Sequence, residues 1–250
     1  MSGHSHWATI KHKKGAADAK RGKIWSKIAR MIIVAAKNGG GDPDSNLTLR
    51  YAIDKAKGAN MPKDTIEKAV KKGTGGAEGA SFESIQYEGY GPNGVAILVE
   101  VLTDNRNRTG PEIKRIFEKG GGSMGTPGCV SWMFSKRGMI VVATSAIGED
   151  ELMELALGAG AEDMQNAGEV YEITCDPTAY EGLKKAIEAK NIPIQSAEIS
   201  MVPQNTIPLS EVEAARKIVK LMDAFDEHDD VQNAHANFDI PEEIAAQVAS

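Results

Sequence analysis

The sequence predicts an α+β protein of three domains: an N-terminal helical bundle, a discontinuous α/β sandwich domain and an inserted ferredoxin-like βαββαβ domain. Three observations lead there. Apolar residues recur at helical spacing through the first third and change to a period of two from Ser81. Residues 138–203 then read strand, helix, strand, strand, helix, strand, which is the split βαβ order. A last helix and strand, after Pro208, lack a sheet of their own and are assigned to the sheet begun at residue 82. The expected domains are therefore residues 1–76, 80–136 plus 204–240, and 137–203.

Residues 4–17 are too polar and irregular for a helix with a buried face and read as an extended basic arm. From Asp18 the chain is amphipathic. At roughly 100° per residue, Ile24, Ile28, Met31, Ile32 and Ala35 share one stripe, and Lys20, Lys23, Lys27, Arg30 and Lys37 a neighbouring one. Asn38-Gly39 stops this helix. A second helix starts near Ser45 or Asn46 and ends at Gly58, with Leu49, Ile53 and Ala56 inward. Pro62 suits the start of a third, which turns Ile66, Ala69 and Val70 inward and ends before Gly73. Gly73–Gly79 reads as a linker. It resembles a phosphate loop only superficially, because it follows a helix and no Gly-Lys-Ser/Thr comes after it.

Ile85 and Tyr87 alternate with Gln86 and Glu88, and Gly91-Pro-Asn-Gly94 is a turn between strands. Val95–Leu102 is nearly all apolar and calls for burial on both faces. Thr109 and Glu112 fit a capping box opening a helix that carries Ile113, Ile116 and Phe117 inward and stops at Gly120. A glycine-rich loop and a strand at Val130–Phe134 follow. Within the inserted unit, strands are expected at 139–143, 161–165, 169–175 and 194–202, and helices at 149–157 and after an Asp176 cap. Ser210 and Glu213 form a capping box before the last helix, which buries Val212, Ala215, Ile218, Val219, Met222 and Phe225. A strand near Val231–Phe238 follows the acidic loop 226–230.

Charge narrows the function. The chain of 250 residues has a formal net charge of −6, yet residues 1–72 hold 16 Lys+Arg against 6 Asp+Glu and the rest holds 13 against 29. A basic first third on an acidic protein fits a polyanion partner. The candidate phosphate ligands are Lys11, Lys13, Lys14, Lys20, Arg21, Lys23, Lys27 and Arg30, joined by Arg106 and Arg108 of Asp104-Asn-Arg-Asn-Arg-Thr109. Trp7 either stacks on a base or pins the arm to the helices. Cys129 and Cys175 have neither C-x-x-C spacing nor a nearby-sequence His, so a disulfide framework, a zinc site and a thiol nucleophile are not expected. His4, His6 and His12 lack a carboxylate or Cys partner, so no metal is expected, and Asp226, Glu227, Asp229 and Asp230 read as a solvated loop. No apolar leader and no run of about 18 apolar residues is present, so a cytoplasmic protein without a membrane partner is expected.

Gly3-His-Ser-His-Trp-Ala-Thr-Ile-Lys-His-Lys-Lys, Asp18-Ala-Lys-Arg-Gly-Lys, Leu102-Thr-Asp-Asn-Arg-Asn-Arg-Thr109, Val130-Ser-Trp-Met-Phe134 and Val202-Pro-Gln-Asn-Thr206 resemble the YebC/PmpR family over essentially the whole chain. Two departures are His6, where the family more often has Lys or Arg, and Ala234-His-Ala236, where it usually carries a large apolar and an aromatic residue. The resemblance implies a helical first domain with two α/β domains and no catalytic activity. It also implies DNA binding with transcription regulation in some members and ribosome-linked translation activation in others. The expected partners are thus DNA, ribosomal RNA or tRNA, and the ribosome, with no cofactor and no small-molecule substrate. The competing class is an enzyme acting on a phosphorylated small molecule through the glycine-rich loop at 120–125.

Overall fold

A computed structural model describes residues 18–75 and 82–249. Three helices come first: α1 (Asp18–Gly39), α2 (Leu47–Gly58) and α3 (Lys63–Thr74). Asn46 caps α2, its side chain accepting from the Leu49 amide at 3.1 Å while its amide group donates to the Ala35 and Gly40 carbonyls at 2.8 Å each. One side chain thus closes the end of α1 and opens α2. The core of this layer is Ile28, Ile32, Leu49, Ala52, Ala56 and Ile66, and the Trp25 indole donates to the Ala59 carbonyl at 3.0 Å. Ile24 is not part of it, being 47% exposed.

Gly73 lies inside α3 and not beyond its end. A Cβ there would come within 2.4 Å of the Ile33 carbonyl oxygen and 2.7 Å of the Ala36 methyl. Glycine is what lets α3 lie against α1 so closely. The expected linker to Gly79 falls largely outside the described residues.

The first sheet follows, from β1 (Glu83–Tyr90), β2 (Ala96–Thr103) and β3 (Ser123–Met124), with α4 (Arg106–Lys119) between β2 and β3. Glu83 pairs with Thr103 and Tyr90 with Ala96 in antiparallel register. Every residue of β2 but Glu100 is buried. After α7 (Val212–Glu227), β9 (Val231–Ala236) joins this sheet, whose order is β3-β1-β2-β9. The sheet is therefore discontinuous in sequence. Phe117 of α4 and Phe225 of α7 meet edge to face with centroids 4.8 Å apart.

The second sheet comprises β4 (Phe134–Ala143), β5 (Ala161–Asn166), β6 (Val170–Cys175) and β7 (Ile194–Pro203), with α5 (Glu149–Gly158) and α6 (Tyr180–Ala189) as crossovers. Its order β5-β6-β4-β7, antiparallel throughout, is the ferredoxin-like arrangement. A short parallel pair, β8 (Ile207–Pro208) with β10 (Phe238–Asp239), and the helix α8 (Glu242–Ala249) complete the described chain. The chain packs as two compact units. One holds Val130–Ala215 and the chain from His235 on; the other runs through Cys129 and takes in Arg216–Ala234.

Three local expectations change. Thr109 does not open α4: Asn105 does, accepting from the Arg108 amide at 3.1 Å, so the helix starts a turn earlier and Thr109 is buried within it. Val130–Phe134 is not a strand but a short 3-10 turn, Ser131–Met133, leading into β4. Asp176 does not cap α6. It folds back on Thr178, accepting from that residue's amide and hydroxyl at 2.9 and 2.6 Å.

Candidate nucleic-acid interface

Of the residues expected to meet nucleic acid, Trp7, Lys11, Lys13 and Lys14 lie outside the described residues. Lys20 and Arg21 lie on α1, and only their backbone is described. The others divide sharply.

Lys23, Lys27 and Arg30 follow at intervals of four and three, so one face of α1 carries all three. That face meets the end of α7. The Lys23 ammonium donates to the Glu227 carbonyl at 3.3 Å and the Lys27 ammonium to the Asp226 carbonyl at 2.6 Å. The Arg30 guanidinium donates to the Asp229 carbonyl at 2.8 Å and forms an ion pair with the Asp230 carboxylate at 2.8 Å. The physics is that of a helix C-terminus, where the last carbonyls lack intrahelical donors and the macrodipole is negative. Cations from another helix satisfy both.

Asp230 is the node. Its side chain is 4% exposed and takes Arg30 on one oxygen. On the other it takes Arg108 at 2.8 Å, Thr109 at 2.6 Å and Thr103 at 3.1 Å. Burial alone would raise its pKa, but the bonds from Thr109, Arg108 and Thr103 outweigh that and hold it down at about 2. Its backbone is fixed as well, the carbonyl accepting from the Leu102 amide at 2.8 Å and the amide donating to His228 Nδ1 at 3.1 Å. His228 Nε2 is then the protonated nitrogen, 3.0 Å from Glu112. The loop 226–230 is therefore only in part a solvated acidic loop: Glu227 and Asp229 are exposed, while Asp230 and the backbone carbonyls receive the basic helix.

Arg108 is taken up in the same way, between Asp230 and Asp104 at 2.8 and 3.1 Å. Arg106 is exposed, and its positive charge partly offsets the upward push that burial gives the Tyr87 hydroxyl. Three further cations remain open on α3: Lys68, Lys71 and Lys72 are exposed and form no ion pair among the described residues. Lys37, near the end of α1, is also exposed.

The glycine loop after α4 has a packing role. The amides of Gly120, Gly121 and Gly122 donate to the Ile116, Glu118 and Phe117 carbonyls, and that of Gly125 to Glu88, at 2.8 to 3.1 Å. A Cβ at Gly122 would lie 2.3 Å from the Tyr90 carbonyl oxygen. Among the described residues no group of three or more His, Cys, Asp or Glu is placed to hold a metal ion, and no helix is long and apolar enough to cross a membrane.

Two family models account for nearly all of this architecture. The TACO1/YebC protein N-terminal domain matches residues 5–76, and the TACO1/YebC second and third domain matches residues 82–238. The chain belongs to the TACO1/YebC family. Its relatives include a protein of Trichlorobacter lovleyi, 58% identical over 240 residues, which are 96% of each chain. A Geobacter sp. (strain M21) protein is 56% identical over 97% of this chain and 98% of its own, and one from Syntrophobacter fumaroxidans is 51% identical over the full length of both. All three bear the name "probable transcriptional regulatory protein". The crystal structure of a conserved hypothetical protein from Aquifex aeolicus superposes with a TM-score of 0.85, at 48% identity over 96% of this chain and 98% of that one.

Sequence patterning does not show that Asp230 joins Thr103, Thr109, Arg30 and Arg108. A signal for them exists all the same: four acids within five residues, 226–230, at the end of a helix are disfavoured by the macrodipole unless cations come to them. The matching spacing of Lys23, Lys27 and Arg30 supplies those cations.

Proposed function

We propose that this protein is a nucleic-acid-binding regulator of gene expression that grips phosphates through the basic residues of its first third. The observation that carries the reading is the division of charge, 16 Lys+Arg against 6 Asp+Glu in residues 1–72 and the reverse balance beyond. The name shared by the relatives supports regulation of gene expression. With Lys23, Lys27, Arg30 and Arg108 engaged by the protein itself, phosphate binding falls to Lys11, Lys13, Lys14, Lys20 and Arg21, with Lys68, Lys71, Lys72 and Arg106 beside them in the same role. Such cations give affinity without sequence information.

Within this reading the stronger target is structured RNA of a ribosome or tRNA, and duplex DNA the weaker one. The acidic remainder repels a long duplex, whereas an RNA–protein assembly rich in cations tolerates it. The protein acts as a binder in the cytoplasm and not as a catalyst. Gradient co-sedimentation and filter binding at near-physiological salt test this. Ribosome association that disappears when Lys13, Lys14, Lys20 and Arg21 are reversed to Glu is the expected result. A duplex site bound about a thousandfold tighter than random DNA, with no ribosome association, overturns the RNA preference and leaves transcription regulation.

A further inference from the structure

A cleft of about 420 Å³ opens between the second half of α1, the start of α2 and the edge of the first sheet. Met31 and Val34 of α1 and Leu102 of β2 give it apolar walls, and Asn38, Glu100, Gln232 and Asn233 supply polar groups. Its volume is in the range of small-ligand sites and suits one nucleoside. Neither Lys nor Arg lines it, so it is not built for a phosphate or a carboxylate.

Gln232 is the residue that sets the chemistry. Both its Oε1 and its Nε2 are shut off from solvent and have no hydrogen-bond partner. Its neighbour Asn233 is already fixed, donating to Glu100 at 3.0 Å. A buried carboxamide with neither bond made destabilises the fold, and an apolar residue of the same shape would not. The amide makes sense where a ligand completes it, and Gln232 is itself one of the residues that line the cleft.

We propose that this cleft takes a single unstacked adenine base, with Gln232 reading its edge. A carboxamide offers a donor and an acceptor side by side, and adenine presents the complementary acceptor N7 and donor N6. The ring faces then lie against Met31 and Val34, where the approach of a thioether to an aromatic ring is favourable. Lys37, next in sequence to the lining residue Asn38, is exposed. The proposal rests on the nucleic-acid reading above. The base arrives either in a single strand or as a free nucleotide.

The test compares the full chain binding labelled oligoadenylate and oligouridylate, with unlabelled AMP as a second probe. The wild type is expected to bind oligoadenylate at least about tenfold tighter. Gln232→Leu is expected to keep or raise the unfolding midpoint and to bind both strands equally. Val34→Phe, which narrows the cleft without touching the amide, is expected to lose the same preference. Binding of AMP that depends on Gln232, without binding of either strand, keeps the cleft with a free nucleotide as its ligand and detaches it from the nucleic-acid reading. Equal binding of the two strands by the wild type, or a preference that survives Gln232→Leu, overturns the cleft and leaves the nucleic-acid reading standing. Absence of binding to both strands and to AMP overturns the cleft, while co-sedimentation with ribosomes decides the nucleic-acid reading separately.

Discussion

Two helices of the same bundle carry basic faces and use them differently. On α1, Lys23, Lys27 and Arg30 close on the carbonyls and carboxylate at the end of α7. On α3, Lys68, Lys71 and Lys72 stay exposed. By composition these six side chains are alike. What separates them is the presence of an acceptor: an acidic helix end faces α1, and among the described residues no ion-pair partner meets the three lysines of α3. A cation stripe beside an apolar stripe therefore says that a helix meets negative charge, and it does not say whether that charge is a partner's or the chain's own.

The comparison breaks most visibly at Asp230. Asp230→Ala removes the shared acceptor of Arg30, Arg108, Thr103 and Thr109. Thr103 and Thr109 are buried, and leaving such a group without its acceptor costs about 1–3 kcal/mol each. Urea unfolding should show that loss, and no comparable loss for alanine at Asp150 or Asp163, which are exposed. The same residue fixes a pH dependence. Its folded pKa is about 2, below the usual value of about 3.9 for an unfolded Asp. Its stabilisation is therefore complete above about pH 4 and is lost as the pH falls toward 2. Between those limits the wild type should lose more stability than Asp230→Asn, which has no proton to take up.

A smaller effect belongs to the packing of α3 on α1. Gly73→Ala places a methyl 2.4 Å from the Ile33 carbonyl oxygen, and backbone cannot yield as a side-chain tip can. Overpacking of this kind costs about 1–3 kcal/mol, read as a fall in unfolding midpoint. An unchanged midpoint would mean that α3 can shift along α1 freely.

The fold was largely legible because its signals are local and repeated. The all-apolar β2, the βαββαβ order and the return of α7 and β9 to the first sheet follow from periodicity and from which elements lack a sheet. The errors lie where a residue's role depends on a distant partner. Thr109 looked like a cap because Glu112 follows it at cap spacing, yet Thr109 bonds Asp230 and Glu112 faces His228. Arg108 looked free because its other acceptor is 122 residues away. Gly73 looked like a helix end because what excludes a side chain is the backbone of another helix. Gln232 gave no signal at all, since nothing in a sequence marks an amide as unpaired.

The smallest effect on stability sharpens the comparison furthest. Lys68, Lys71 and Lys72 reversed together to Glu change exposed residues that form no ion pair among the described residues. Surface changes of that kind shift stability by about 0.5 kcal/mol or less each. If α3 offers its cations to phosphate, the triple variant keeps the wild-type unfolding curve and binds nucleic acid more weakly. The salt dependence should flatten by roughly 0.7–0.9 in log–log slope for each phosphate no longer neutralised. Lys23→Glu with Lys27→Glu should do the opposite in one respect. It sets two anions against the carbonyls of Asp226 and Glu227 and lowers the unfolding midpoint. Equal slopes for the wild type and the α3 variant would assign phosphate binding to the arm alone. A reduced slope with an intact fold would assign it to both, and would make the exposed face of α3 the part of the bundle that the protein keeps for its partner.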